Sequence, residues 1–230
     1  MRILALESST DWCSVAVGEE GHWLVREEQT GSAHAERVLA LVASVLAEAG
    51  WALRAVDGIG FGAGPGSFTG IRVACGVAQG LALGAQLPLV PVATLEALAQ
   101  AAWTAQGASR VLACLDARMR EIYLAAYTRS DSRWLALDPP RVLPPAEAAA
   151  PAGVGWFGAG GGFAAYPALV QQLGLARHEA ALRPTALAVA QLALPRLHAG
   201  EGVEPGEALP LYVRHRVALT TAERAAGERM

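Results

Sequence analysis

The chain has 230 residues, of which 53% are hydrophobic and 17% charged, and its formal net charge is -3 at pH 7. This length allows one large domain or two small ones. A weakly acidic chain has no overall field that favours strong binding to nucleic acid on its own. The N-terminus lacks a signal-peptide pattern, and no run of about 18 apolar residues is unbroken. We therefore expect a cytoplasmic protein without a membrane span.

The cysteines and histidines form no pattern that is typical of a disulfide framework or a zinc site. Cys13, Cys75 and Cys114 lie far apart in sequence, which favours buried thiols in a reducing compartment. No two histidines are four residues apart, so the HExxH and HxxxH patterns of zinc enzymes are missing. A GxSxG nucleophile turn is also missing. We therefore expect neither a metal site nor a catalytic residue in this chain.

The hydrophobic pattern of the first half predicts the order β-β-β-α-β-α-β-α. Ser32 is expected to cap the first helix and Gly50 to end it. The apolar residues of that helix form two stripes, which is typical of a helix covered on both sides. The predicted elements are strands Ile3–Leu6, Trp12–Val17 and Trp23–Glu28, helix Ala33–Ala49, strand Val56–Gly62, helix Ile71–Leu83, strand Leu89–Val92 and helix Leu95–Ala105.

The pattern of strand, polar turn and strand then starts again in the second half. The predicted elements are strands Val111–Asp116 and Ile122–Tyr127, the proline-rich connection Asp138–Pro145, strand Val154–Phe157 and helix Pro184–Leu194, which Pro195 would kink or end. Two halves that begin alike favour two related α/β domains. We predict domains at residues 1–105 and 106–218, followed by a flexible tail at residues 219–230.

A glycine-rich turn, Gly64–Gly70, follows a predicted strand and opens a predicted helix. Backbone N–H groups in such a turn can approach an anion, and a helix N-terminus favours negative charge. Ser67 or Thr69 could cap the helix. The sequence is not a Walker loop, because GxxxxGK[ST] is absent. Considered alone, the turn is more typical of a tight, capped connection than of a phosphate site.

The helix after this turn carries Gly76, Gly80 and Gly84, which lie on one face because they are four residues apart. Each glycine costs a helix about 1 kcal/mol relative to alanine, so close packing of some kind should offset the loss. Packing against the protein's own sheet and a helix-to-helix contact between subunits are both open.

Three further segments could carry chemistry, although each is also typical of an ordinary turn. They are the polar turn Glu7–Asp11, the loop Gly158–Gly162, and a charged hairpin turn at Asp116–Glu121 that could reach a cleft or be solvated. The candidate nucleotide- or anion-binding residues are Glu7, Ser8, Gly64, Gly66, Ser67, Thr69, Gly160 and Gly161.

Five segments occur in the order seen in the bacterial TsaB (YeaZ) family, which the chain resembles over almost its whole length. They are ILALESSTDWCSVAV, HAERVLALVASVL, GAGPGSFTGIRVACGVAQGLA, DARMREIYLAAY and PLYVRHRVAL. The resemblance implies an actin-like, sugar-kinase-like (ASKHA) fold of two α/β domains and a role in making threonylcarbamoyladenosine in tRNA. Family members often carry Asp where this chain has Glu7, which argues against a phosphate or magnesium role for that turn.

The resemblance also implies partners. In that family the protein is a non-catalytic partner of a larger paralogue, TsaD, which transfers the threonylcarbamoyl group; an ATPase, TsaE, joins the assembly, and isolated members form homodimers. We expect no cofactor of its own, ATP or ADP bound within the complex, and only indirect contact with tRNA. By position, the first two helices would contact TsaD. The implied interface residues are His34, Arg37, Val38, Leu41, Val42, Val45, Val73, Gly76, Val77, Gly80, Leu81 and Gly84.

Two other functions stay open at this point. An ATP-dependent phosphotransferase of the same fold would need a metal-positioning acid near Glu7 and a base, and Asp116 is the only good second candidate. A glycoprotease-like peptidase ranks last, because metal ligands and a nucleophile arrangement are missing. We expect the GPGSFTG turn mainly to begin and cap its helix, and that helix to form the partner surface, with anion binding at the turn as a secondary hypothesis.

Overall fold

The computed structural model describes residues 1–131 and 133–214. The predicted tail at residues 219–230 lies outside the described residues. The strands are β1 Ile3–Glu7, β2 Trp12–Glu19, β3 His22–Gln29, β4 Gly58–Gly64, β5 Leu89–Ala93, β6 Arg110–Arg118, β7 Glu121–Ser130, β8 Arg133–Leu143, β9 Phe157–Ala159 and β10 Arg177–Glu179. The helices are α1 His34–Ala49, α2 Phe68–Ala85, α3 Thr94–Gln106, α4 Gly162–Ala165, α5 Ala168–Gln172 and α6 Ala186–His198.

The ten strands form two five-stranded sheets with the same internal order. The first sheet runs β3-β2-β1-β4-β5, and the second runs β8-β7-β6-β9-β10. In each, the first three strands in chain order pair antiparallel and the last two add parallel. The prediction of two related α/β units is therefore confirmed, whereas the exact bounds 1–105 and 106–218 stay a prediction.

The helices and sheets alternate in layers because strand side chains point to opposite faces in turn. In β1, Leu4 and Leu6 face a core shared with α1 and α2, whereas Ile3 and Ala5 face a core shared with α3 and α6. The second sheet contributes one face to the α3–α6 core and the other to a core with α4 and α5. The layer of α3 and α6 thus lies between the two sheets.

Helix α6 follows the second sheet in sequence but packs against the first sheet, on β1, β2 and β4. Glycines in β4 allow this approach. A Cβ at Gly58 would lie 2.8 Å from Leu197 Cδ2, and a Cβ at Gly60 would lie 2.8 Å from Ala193 Cβ. These contacts hold α6 directly against β4 of the first sheet.

The segment after α6 runs from the first sheet to the hairpin of the second sheet. The Gln79 amide nitrogen donates to the Ala208 carbonyl at 2.9 Å, which fixes the segment along α2. The Leu211 N–H donates to the Ala63 carbonyl at 2.7 Å. Arg214 then donates to the Glu121 carboxylate at 2.6 Å, on the hairpin of the second sheet. The segment 199–214 therefore links the two sheets.

Several predicted element bounds were wrong. Residues Asp138–Pro145 were expected to be a connection, but most of them belong to β8, which is an edge strand where proline is tolerated. The strand predicted at Val154–Phe157 begins only at Phe157. Pro195 does not end α6, which continues to His198.

The helix ends show which capping predictions hold. Gly50 ends α1 in the left-handed conformation (φ 68°), as predicted. Ser32 does not cap α1, because Ala33 occupies that position without a side-chain cap. Ser67 does cap α2, since its Oγ accepts from the Gly70 N–H at 3.3 Å. The three thiols are buried, as expected.

Candidate partner-binding face and interdomain cleft

Helix α2 has a buried face and an open face. The buried face is made mainly of small residues, among them Cys75, Ala78 and Ala82, which belong to the core of the first sheet. Gly76, Gly80 and Gly84 lie on the open face, where an added Cβ would meet no atom within 4 Å. The alternative that this stripe packs against the protein's own sheet is therefore wrong. A contact with another chain remains the explanation to test.

Exposed apolar residues lie on α2 and on the neighbouring helix α1. Leu83 on α2 is 74% exposed, and Leu39 on the neighbouring helix α1 is 54% exposed. By length and composition α2 could even cross a membrane, a property that core helices of folded proteins share; only a third of its residues are buried. We call the exposed side of the two helices the helix-pair face. Its members are Ala35, Leu39, Ala43, Gly76, Gly80, Leu83 and Gly84, bordered by the half-buried Val73, Val77 and Leu81.

The predicted interface residues of α1 need a correction. Val38, Leu41, Val42 and Val45 are at most 5% exposed and form part of the protein's own core. Side chains so deeply buried cannot touch a partner. These residues therefore support the helix-pair face from within the core. Arg37 stays at the surface, where it forms a two-pronged ion pair with Glu28 at 2.7 and 2.8 Å.

His34 is also buried rather than part of an interface. Only 2% of the residue is exposed, and its Nδ1 lies 2.8 Å from the Thr30 hydroxyl. Burial lowers the pKa of His34, although a hydrogen bond to the Thr10 backbone and the charge of Asp11 act in the opposite direction. His34 thus joins the start of α1 to the turn between β1 and β2.

The glycines from the end of β4 to the first turn of α2 are explained by close internal packing. Added Cβ atoms would collide with the Glu7 carboxylate from Gly62, with Ser9 from Gly66, and with the Ser8 carbonyl from Gly70. The Ser8 hydroxyl donates to the Gly70 carbonyl at 2.9 Å, and the Ser67 N–H donates to the Ser9 carbonyl at 2.7 Å. The GPGSFTG turn and the polar turn after β1 therefore form one tightly fitted junction.

Glu7 is fully buried inside this junction. Its Oε1 accepts from the Ser9 N–H at 2.6 Å, whereas Oε2 has no partner among the described residues. Burial raises the pKa of Glu7, and hydrogen bonds from Ser9 and Ser8 offset part of that rise. Glu7 is therefore held by contacts within the junction and does not line an open site.

An interdomain cleft of about 540 Å³ opens between this junction and the β6–β7 hairpin. Of the predicted anion-binding residues, Gly66, Ser67 and Gly161 line it. The Ser9 hydroxyl, which is buried and lacks a partner among the described residues, belongs to the same wall. Asp116 and Arg118 line the opposite side, paired with each other at 3.1 Å. The predicted charged turn therefore does reach a cleft.

The other predicted anion-binding residues do not line the cleft. Glu7 and Ser8 are buried, Thr69 is exposed outside the cleft lining, and Gly64 donates its N–H to the Thr94 hydroxyl at 3.1 Å. Gly160 has a φ of +109°, and a Cβ there would lie 2.6 Å from Leu98 Cδ2, so backbone conformation and packing explain this glycine. Sequence reasoning missed Ser9, although it lies in the turn that was singled out.

Comparisons with known proteins agree with this architecture. The family model described as TsaD, tRNA N6-adenosine threonylcarbamoyltransferase, matches residues 25–155. The TsaB protein of Escherichia coli K12 is 39% identical over 95% of this chain and 96% of its own length; that of Haemophilus influenzae is 36% identical over 94% and 95%. The solved structure of YeaZ from Pseudomonas aeruginosa has a TM-score of 0.86 and 43% identity, covering 92% of this chain and 99% of that one.

The repeated sheet order and the matched family model define an actin-like (ASKHA) protein of two α/β units. Within that class, the chain belongs to the TsaB (YeaZ) family. The curated relatives in E. coli and H. influenzae are named tRNA threonylcarbamoyladenosine biosynthesis proteins.

Proposed function

We propose that this chain is a non-catalytic assembly subunit in the cytoplasmic synthesis of tRNA threonylcarbamoyladenosine. It binds a TsaD-like catalytic paralogue through the helix-pair face, and a TsaE-like ATPase joins the assembly. Contact with tRNA is made through the complex, and without its partner the chain forms a homodimer through the same face. The names of its relatives support the pathway, and the helix-pair face supports the mode of assembly.

The open glycine stripe is the observation that carries this proposal. Three glycines in an exposed helix cost about 3 kcal/mol relative to alanine if their effects add. No packing within the described residues offsets that cost, since nothing lies within 4 Å of a Cβ at any of the three. A partner helix could approach the bare backbone closely and bury the exposed Leu39 and Leu83. The open glycine stripe therefore supports an intermolecular contact at these positions.

Gly80→Leu gives a test in which stability and binding move in opposite directions. The new side chain points into open space, so the variant should fold and gain about 1 kcal/mol of helix propensity. It should also weaken binding to the TsaD-like paralogue of the same organism by at least about 100-fold, because bulk at a close helix crossing separates the backbones. Urea unfolding and calorimetric titration measure the two quantities.

Gly206→Leu is the matched control, because a Cβ at Gly206 also meets nothing within 4 Å and its backbone conformation is unrestricted. This variant should bind the paralogue normally. Unchanged binding by a folded Gly80→Leu variant would show that the partner surface lies elsewhere. Light scattering of both variants without the paralogue tests the homodimer in the same way: Gly80→Leu should lower the mass of the particle in solution, and Gly206→Leu should not.

The interdomain cleft supports a narrower proposal for the nucleotide. The N-terminus of α2 and the orphaned Ser9 hydroxyl fit a small anion, so ATP or ADP bound within the complex would place phosphate there. An ATP-dependent phosphotransferase would instead require turnover by the isolated chain. Sustained, metal-dependent ATP hydrolysis that is lost in Asp116→Asn would favour the enzyme over the assembly subunit.

A further inference from the structure

Arg129 occupies an unusual environment at the end of β7. Its guanidinium lies 4.7 Å from the ring centre of Trp103 and 5.5 Å from that of Trp134, which are distances of cation–π contact. Its Nη1 donates to the Gln100 Oε1 at 3.0 Å. No carboxylate among the described residues pairs with Arg129, and burial lowers its pKa. The protein therefore holds a partly desolvated positive charge without neutralising it.

A chain of hydrogen bonds fixes this cation in place. Gln100 Oε1 also accepts from the Trp134 indole N–H at 2.9 Å, and the Gln100 amide nitrogen donates to Gln191 Oε1 at 3.0 Å. Gln100 is only 7% exposed, so its amide cannot turn freely. Such preorganisation lowers the entropic cost of binding a ligand to the remaining guanidinium N–H groups.

The same residues line a cavity of about 340 Å³ between α3, α6 and the β7–β8 hairpin. It shares no lining residue with the interdomain cleft or with the helix-pair face. Leu135, Leu192 and Pro195 give it apolar walls, and Arg133 adds a second guanidinium that pairs with no described carboxylate. Arg196 is already engaged with Glu96, and Glu201 is the other acid, so the cavity has a surplus of one positive charge.

We propose that this cavity is a binding site for a small organic oxyanion, a carboxylate or a phosphate with a short apolar body. Arg129 and Arg133 take the charged group, and the leucine and proline side chains contact the body. A guanidinium fork matches both kinds of oxyanion, so the shared chemistry defines the ligand class.

Titration of the labelled protein with benzoate, phenyl phosphate and inorganic phosphate tests the site. The readout is the indole N–H signal of Trp134, assigned by its loss in Trp134→Phe. We expect a saturable shift with benzoate or phenyl phosphate at a Kd of about 1 mM or below, and weaker binding of inorganic phosphate, which lacks the apolar body. The tighter of the two organic probes identifies the charged group as a carboxylate or a phosphate.

Substitution of the two arginines separates this site from a purely structural cluster. Arg129→Met and Arg133→Met should each weaken binding by about tenfold or more, the loss of a charge-assisted hydrogen bond. Arg133 is exposed and its side chain has no hydrogen-bond partner among the described residues, so its variant should fold even if Arg129→Met does not. Arg141→Met on the same strand, whose guanidinium pairs with Asp138, is the control and should bind normally.

Two results would overturn the proposal. One is the absence of a saturable shift with either organic probe up to about 20 mM, a weaker affinity than a specific site of this kind should show. The other is equal affinity in the wild type and Arg133→Met, which would show that the two arginines do not share a ligand.

Discussion

Two sets of three glycines, each spaced by four residues, lie close together in the chain and have opposite surroundings. Gly62, Gly66 and Gly70 fit so tightly against the turn after β1 that a methyl group would collide with it. The next set, at 76, 80 and 84, lies in open space. Glycine spacing alone therefore cannot distinguish two cases. In one, the protein's own packing leaves no room for a side chain; in the other, the glycine allows another molecule to approach the backbone.

The largest expected effect is at the first set. Gly70→Ala would drive a Cβ into the Ser8 carbonyl, and backbone atoms cannot move away as a flexible side chain can. We expect the free energy of unfolding to fall by about 3 kcal/mol or more, the upper range for overpacking. Urea unfolding measures it. Gly161→Ala, at an open position, is the control, and an equal loss in both variants would contradict the packing argument.

The second set should respond in the opposite direction. Replacing Gly76, Gly80 and Gly84 together by alanine should raise the free energy of unfolding by about 2–3 kcal/mol, because each change improves helix propensity without a collision. The measurement is the urea midpoint of the isolated chain at a protein concentration where it is monomeric. A loss of stability would mean that the glycines serve a contact within the chain.

Glu7 tests the electrostatics of the tightly packed junction. Because its pKa is raised in the folded state, the unfolded chain releases the Glu7 proton first as pH rises above about 4.5, and stability falls until the folded pKa is passed. Glu7→Gln removes this cost. The variant should gain stability relative to the wild type between pH 5 and pH 8, and Glu19→Gln at the surface should not. A pH-independent difference would contradict a raised pKa for the buried Glu7 carboxyl.

His34 should give the smallest effect, with the opposite dependence on pH. Its pKa is lowered in the folded state, so the unfolded chain takes up a proton first as pH falls through about 6.5, and the folded protein loses stability. In His34→Gln the loss of stability between pH 8 and pH 5.5 should be smaller than in the wild type. Unfolding curves at the two pH values measure it, with His22→Gln, at an exposed position, as the control.

The sequence predicts the architecture well because period-2 alternation and glycine punctuation are local signals. The strand–turn–strand starts of both halves and the two-unit fold follow from them. These signals do not predict edge strand β8. Pro139 and Pro140 indicate a break in the strand, although an edge position tolerates them. The C-terminal end of α6 was also predicted wrongly, because the helix continues beyond Pro195.

The candidate site is only partly predictable. The apolar pattern of α1 correctly identifies Val38 and Leu41 as residues that must be buried. The pattern cannot say whether they are buried by the same chain or by a partner. The structure assigns them to the core, and it leaves Leu39 of the same helix at the surface. The cavity at Arg129 could not be predicted, because it unites residues from α3, α6 and two strands that are far apart in sequence.

The placement of α6 has a consequence for how the protein is made. One face of the first sheet is covered by a helix that the ribosome adds only after residues 94–185 have been synthesised. Until then, part of the apolar surface of this sheet is exposed in the nascent chain. Incomplete chains with exposed apolar surface tend to aggregate. Chains that stop before residue 186 should therefore accumulate as insoluble material, and adding a peptide of the α6 sequence in trans should rescue them.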